Sequence, residues 1–82
     1  MANNSYTNLV YIVTLETLGH AESALAAFLT SADAEEYISR RVDEEVQLSG
    51  CFRVDYAEGA VTCWLDQFQP DDRNTYRIRK TL

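Results

Sequence analysis

The strongest constraint on the fold is an uninterrupted run of β-branched, aromatic and aliphatic residues at positions 8–15, which contains no Gly or Pro. Alternate residues of a strand point to opposite faces, and over the first half of this run both sets are apolar. A strand that is apolar on both faces is typical of the interior of a sheet. We therefore expect residues 8–17 to form a central strand around which the rest of the chain is arranged.

The next two elements are a second strand and a helix. Residues 23–29 are alanine-rich and compatible with either helix or strand, and we assign them to a strand antiparallel to the first. Thr30 or Ser31 can cap a helix over residues 32–48, and Gly50 can end it. The apolar stripe of this helix is formed by Ala34, Tyr37, Ile38, Val42 and Val46. Arg41 stands four residues before Glu45, at the spacing of an ion pair.

The second half of the sequence predicts a β-hairpin and a final strand. Residues 51–56 and 61–66 alternate in polarity around a turn, and residues 75–80 alternate again. If Glu58 and Gly59 form a two-residue loop, one face of the hairpin carries Phe52, Val54, Tyr56 and Cys63. The other face then carries Cys51, Arg53, Asp55 and Trp64. A one-residue slip would exchange the two faces.

These elements predict a single α+β domain over residues 1–82, with residues 1–7 loosely held. The order ββαβββ gives a mainly antiparallel sheet of four or five strands with one helix packed on one face. One helix cannot cover both faces of such a sheet. The second face must be polar, bear a few apolar residues or contact another chain.

The charge distribution bears on the kind of partner. The net charge is −6, and residues 1–72 hold thirteen acids against three arginines, a balance of −10, whereas the last ten residues carry +4. An acidic body disfavours direct nucleic-acid binding but suits a protein partner with a basic surface. The sequence has no apolar run of the length that spans a membrane, and residues 1–5 lack the charge and apolar core of a secretory signal. We therefore expect a cytoplasmic protein.

Few residues of the sequence suggest a catalytic, metal-binding or cofactor-binding site. The two cysteines and one histidine are not at metal-ligand spacing, and the three glycines are scattered, so we expect no metal, no cofactor and no enzymatic activity. Cys51 and Cys63 are predicted on opposite faces, which argues against a disulfide. A small-ligand binder or enzyme would be indicated by a concave polar pocket around His20 or Cys51.

Two surfaces are candidates for partner binding. The solvent side of the helix carries Glu35, Glu36, Asp43 and Glu44, which either only interact with water or recognise a basic protein surface. On the outer sheet face Trp64 opposes Arg53, a pairing that permits cation–π stacking and involves residue types enriched at binding hot spots. Tyr6, Tyr11 and Leu25 could extend this outer face as an apolar patch.

A resemblance narrows the functional expectation. The strand at residues 10–14, the segment Phe-Leu-Thr-Ser-Ala-Asp-Ala-Glu-Glu-Tyr-Ile at residues 28–38 and the closing Tyr-Arg-Ile at residues 76–78 resemble small phage and mobile-element proteins in which a strand leads into such a helix. In size, acidity and lack of catalytic residues the chain is also similar to anti-CRISPR proteins and other phage inhibitors. The resemblance implies a phage-encoded inhibitor that acts in the host cytoplasm on a nucleic-acid-binding effector complex.

We therefore predict a nonenzymatic protein-binding module. Its predicted binding residues are Glu35, Glu36, Asp43, Glu44, Arg53 and Trp64. The alternative is a self-associating structural or accessory protein that forms a homodimer through the uncovered sheet face around Trp64.

Overall fold

The computed structural model describes residues 9–82, which form an α+β fold. The elements are β1 Val10–Thr17, β2 Ser23–Phe28, α1 Ser31–Leu48, β3 Arg53–Ala57, β4 Ala60–Trp64 and β5 Arg73–Thr81. The strands form one antiparallel sheet in the order β2-β1-β5-β4-β3. The predicted order ββαβββ is confirmed, and β1 lies inside the sheet as expected.

Local signals set the ends of α1. Thr30 is the N-cap, and its Oγ1 accepts a hydrogen bond from the backbone N–H of Asp33 at 3.1 Å. At the other end Gly50 has a φ of +76°, which a residue without a Cβ adopts most readily. The chain then turns so that the N–H of Cys51 donates to the carbonyl of Glu45 at 3.1 Å. The helix therefore begins and ends close to the predicted positions.

The register of the β3–β4 hairpin is the one that a two-residue loop predicts. Ala57 pairs with Ala60 around Glu58 and Gly59, and Arg53 pairs with Trp64. Val54 and Tyr56 therefore share the side of the sheet on which α1 lies. Trp64 lies on the opposite side, as predicted.

The core lies between α1 and the sheet. Its buried apolar members are Val13, Ala34, Ile38, Val42, Cys51, Cys63 and Tyr76. The side chains of Tyr76, Val13 and Cys63 are almost completely inaccessible to solvent. The apolar stripe of α1 thus packs on the apolar face of the sheet, as the 3.6-residue period of the helix and the two-residue period of the strands predict.

The predicted helix stripe is wrong at its last position. Val46 is 48% exposed, whereas Glu45 is only 7% exposed. The buried stripe continues from Val42 to Glu45 at a spacing of three residues because the carboxylate has donors on β5. The side-chain amide of Asn74 donates to it at 2.7 Å, and so does the hydroxyl of Tyr76. A paired carboxylate can occupy an apolar interface that an unpaired one would avoid.

The prediction that the two thiols lie on opposite faces is also wrong. Cys51 is buried with Cys63 in the core, and both are free thiols. Because β3 begins at Arg53 and not at residue 51, the strand alternation does not extend back to Cys51. Phe52, expected on the covered face, is 51% exposed.

The apolar patch predicted for the outer face is not formed by the residues named for it. Tyr11 and Leu25 pack against the core on the helix side. Tyr6 and the segment 1–7 lie outside the described residues.

A single helix leaves part of its own side of the sheet uncovered. α1 packs mainly on β1, β2, β5 and β4, and β3 is the edge strand beyond them. Five strands spaced about 4.8 Å apart are wider than one helix of about 10 Å diameter. Tyr56, on the helix side of β3, is consequently 76% exposed. Within residues 9–82 no helix is both long and apolar enough to cross a membrane.

Candidate protein-binding surface

The six predicted binding residues do not form one surface. Glu35, Glu36, Asp43 and Glu44 are exposed on α1, which covers one face of the sheet. Arg53 and Trp64 are paired on the opposite face. The structure therefore separates the acidic candidates from the aromatic and basic ones by the thickness of the sheet.

The helix acids border two different clefts. A helix turns about 100° per residue, so Glu35 and Glu44, nine residues apart, lie on opposite flanks of α1. Glu35 and Glu36 border a cleft between α1 and the β3–β4 hairpin. Glu44 borders a smaller cleft of about 260 Å³ with Arg41 and Leu48. By the same rotation Glu36 and Asp43 lie between these two positions, so the four acids follow one exposed side of the helix that borders a different cleft at each edge.

The cleft between α1 and the β3–β4 hairpin, which we call the hairpin groove, has a volume of about 550 Å³. Its apolar base is formed by Ile38, Val42, Val61 and Ile78. The hairpin wall is formed by Tyr56, Ala57, Gly59 and Ala60, and the helix wall by Ala32, Glu35, Glu36 and Ser39. The groove combines an apolar base with a carboxylate-bearing wall on one side only.

Small side chains explain why the groove is open. Ala57, Gly59 and Ala60 place little bulk on the hairpin wall, and Ala32 and Ser39 place little on the helix wall. Tyr56 is the large exception, and it stands out into solvent. Exposed apolar concavities of this kind are typical of surfaces that bind other molecules.

The outer face of the sheet contains a stacked cluster around Trp64. The guanidinium carbon of Arg53 lies 4.6 Å from the centroid of the indole, and that of Arg73 lies 5.3 Å from it. The indole Nε1–H donates to Asp55 at 2.7 Å, and Asp55 also pairs with Arg53 at 3.1 Å. The predicted Arg53–Trp64 stacking is confirmed. Arg73 was missed because the final strand was predicted to begin at residue 75.

Further ion pairs lie on the outer face beside the β1–β2 turn. Arg79 donates to Glu22 through two bonds of 2.9 and 2.7 Å, and Thr14 donates to the same carboxylate at 2.7 Å. The bonds from Arg79 and then from Thr14 lower the pKa of Glu22 to about 2. Arg77 pairs with Glu16 and, more distantly, with Glu22.

These contacts show how the second face of the sheet is satisfied. Its four arginines, at positions 53, 73, 77 and 79, each have an acidic partner within 4 Å. The face is thus mostly polar and close to neutral, with Val10 and Ile12 of β1 as half-buried apolar members. Guanidinium groups already held by carboxylates are poorly placed to neutralise phosphates.

A polar cleft of about 490 Å³ is present beside the β1–β2 turn on this outer face. His20 lines it, together with Arg73, Arg77, Glu16 and Asp71. Its two arginines are in ion pairs with the two acids. The concave polar pocket that would indicate a small-ligand site is therefore present around His20, with its opposite charges already paired.

Burial raises the pKa of two side chains beneath α1, those of Tyr76 and Cys63. Burial and then the bond to Glu45 raise the pKa of Tyr76. Burial, followed by the charge of Glu45, raises the pKa of Cys63 to about 12, so its thiol is protonated at neutral pH. Within residues 9–82 no group of three or more His, Cys, Asp or Glu side chains is placed to hold a metal ion.

Comparisons with protein-family models, with curated proteins and with solved structures give no match. The functional conclusion therefore depends on the geometry of the surfaces described above.

Proposed function

We propose that the protein is a nonenzymatic protein-binding module, and that the hairpin groove receives an apolar, positively charged segment of its partner. The observation that supports this most is the combination of an apolar base, half-buried at Val61 and Ile78, with acidic residues on one wall. The Trp64 face, by contrast, already pairs its charged groups within the chain.

The shape of the groove favours a helical partner segment. One wall is a helix, and the base is the part of the sheet that α1 leaves uncovered. A second helix packed 8–10 Å from α1 would cover that area, because α1 covers only part of the width of the sheet. Such a segment would place leucine-like side chains on the base, in the manner of an amphipathic helix bound in a groove.

The acidic residues on the helix wall of the groove favour a partner helix that carries positive charge. Glu35 and Glu36 are both exposed on the helix wall. Arg40 pairs with Glu36 at 3.1 Å, but these side chains are 75% and 61% exposed, so the pair is weak. A lysine or arginine on the flank of the incoming helix would pair with Glu35. Basic helices of this kind occur on nucleic-acid-binding proteins, so the proposal includes an anti-CRISPR-like inhibitor of a nucleic-acid-handling complex.

The test is a binding titration with two designed amphipathic helices, one built from Leu and Lys and one from Leu and Glu. Fluorescence anisotropy of the labelled peptides should show saturable binding of the Leu/Lys helix and none of the Leu/Glu helix. The double variant Glu35→Lys/Glu36→Lys should reverse this preference.

Glu44→Lys is the control, because it also reverses an exposed acid of α1 but lies on the flank opposite Glu35. It changes the net charge by half as much as the double variant, so its effect is compared with that of Glu35→Lys alone. It should leave the affinity for the Leu/Lys helix within about twofold, as expected for a distant charge screened by salt. Equal effects of Glu44→Lys and Glu35→Lys would show nonspecific charge attraction. Absence of saturable binding by either peptide would contradict the proposal.

The polar cleft beside His20 favours a second candidate, a binder of a small molecule that carries both positive and negative groups. Such a ligand would exchange partners with the ion pairs of Arg73 and Arg77. Its test is a titration with free amino acids while the imidazole signals of His20 are followed by NMR. Unchanged imidazole shifts across the set would remove this candidate.

A further inference from the structure

The strand β3 lies at one edge of the sheet, and within residues 9–82 no strand pairs with its outer side. Just before β3 the N–H of Phe52 donates to the C=O of Trp64 at 3.0 Å, so the free backbone groups begin at Val54. β3 is the last strand in the sheet order, and its five residues contain neither Pro nor Lys. Proteins commonly protect such edges with those residues, with other charged side chains, with bulges or with a covering element. The charged side chains of β3 are Arg53 and Asp55, which are of opposite sign and can therefore pair across an antiparallel contact. α1 packs mainly over the other four strands, so it leaves this edge accessible.

The hairpin loop decides which backbone groups face that edge. A two-residue loop requires a hydrogen-bonded pair directly beside it, and hydrogen-bonded pairs alternate along an antiparallel ladder. Ala57, Asp55 and Arg53 therefore direct their N–H and C=O groups to β4. The corresponding groups of Val54 and Tyr56 point away from β4 and are available to another strand.

We propose that β3 pairs antiparallel with β3 of a second copy of this chain, with Val54 on the two-fold axis. In this register the N–H of each Val54 donates to the C=O of Val54 in the other copy. Arg53 of each copy then lies opposite Asp55 of the other. The interface is self-complementary, as a two-fold symmetric contact requires.

Charge selects this register over its neighbour. A pairing centred on Asp55 would place two carboxylates opposite each other, which destabilises a strand pair. The pairing centred on Val54 forms two opposite-charge pairs on the outer face. Arg53 and Asp55 contact each other within one chain, but their side chains remain 55% and 52% exposed and are accessible to the second copy.

The association is expected to be weak. Five residues of paired strand bury less area than the roughly 1,200 Å² at the lower end of stable interfaces. We therefore expect a dimer whose dissociation constant lies in the micromolar to millimolar range. The pairing lies in the plane of the sheet and leaves the hairpin groove open, so this inference does not depend on the proposed function.

The experiment is sedimentation velocity over micromolar to millimolar protein. The unmodified chain should shift from monomer to dimer with rising concentration. Arg53→Asp and Asp55→Arg should each weaken the dimer by about tenfold or more, because each places like charges opposite each other in both pairs. An equimolar mixture of these two variants should form a heterodimer, since every opposed pair is again of opposite charge.

Glu58→Arg is the control for net charge, since it makes the same change in charge as Asp55→Arg but lies in the loop outside the paired residues. It should dimerise like the unmodified chain. A backbone control is Val54→Pro, which removes an N–H that β4 does not use and should abolish the dimer while the hairpin remains. A protein that stays monomeric up to millimolar concentration would overturn the proposal. Failure of the mixed variants to associate would overturn the register.

Discussion

The substitution Tyr76→Phe tests the buried contact that joins α1 to β5. It removes one hydroxyl and leaves the ring, which is 1% exposed, in place. The lost bond ends on the carboxylate of Glu45, which is 7% exposed and retains Asn74 as a donor. Hydrogen bonds to charged groups contribute about 1.5–3 kcal/mol, so we expect a loss of about 2 kcal/mol in the free energy of unfolding. For a chain of this size that corresponds to a fall of about 8–16 °C in Tm.

The assay is urea unfolding followed by far-UV circular dichroism, with Tyr56→Phe as the matched control. The hydroxyl of Tyr56 is on a side chain that is 76% exposed, so the control should change stability by less than about 0.5 kcal/mol. Both variants should keep the m value of the unmodified protein, because neither changes the surface exposed on unfolding. Equal losses in the two variants would refute the assignment of Glu45 and Tyr76 as a stabilising buried pair.

Three further outcomes follow from the structure. The folded-state pKa of Glu22 is lowered to about 2 from its ordinary 4.5, so its contribution to stability is complete above about pH 4.5 and is lost as the pH falls toward 2. Arg79→Gln should reduce that acid-dependent loss in a pH series of thermal melts, whereas an unchanged pH profile would contradict the pairing. Thr30→Ala should cost about 1 kcal/mol through loss of the N-cap, measured by urea unfolding. The thiol of Cys63 should resist iodoacetamide in the native protein and react after unfolding, because it is buried and its pKa is about 12; rapid native-state labelling detected by mass spectrometry would contradict its burial.

The order of the elements could be predicted from the sequence because local signals agree with one another. The apolar run of β1, the cap at Thr30 and the turn at Gly59 each specify one conformation by short-range chemistry. The hairpin register followed from the loop length, and it placed Trp64 correctly. Such features depend on residues close together in the chain.

The wrong predictions concern residues whose burial depends on contacts with residues far away in the sequence. Glu45 is buried because Asn74 and Tyr76, about thirty residues later, satisfy its carboxylate. A periodicity rule that assigns acids to the surface has no access to that contact. Similarly, the burial of Cys51 depends on where β3 begins, which the alternating pattern alone did not fix.

The candidate site shows the same limit. The sequence correctly predicted that the helix acids are exposed and that Trp64 stacks on Arg53. It did not predict that Glu35 and Glu44 lie beside different clefts, or that α1 leaves β3 uncovered. The hairpin groove exists only because those elements pack at a particular lateral position on the sheet.

The most direct test of the hairpin groove is a two-dimensional NMR titration with the Leu/Lys helix that follows two sets of signals together. The methyl groups of Ile38, Val61 and Ile78 report on the groove, and the single indole N–H of Trp64 reports on the opposite face. We expect the methyl signals to shift with a common saturation curve while the indole signal stays fixed. A shifting indole signal with unchanged methyl signals would contradict the groove as the binding surface and move the function to the Trp64 face.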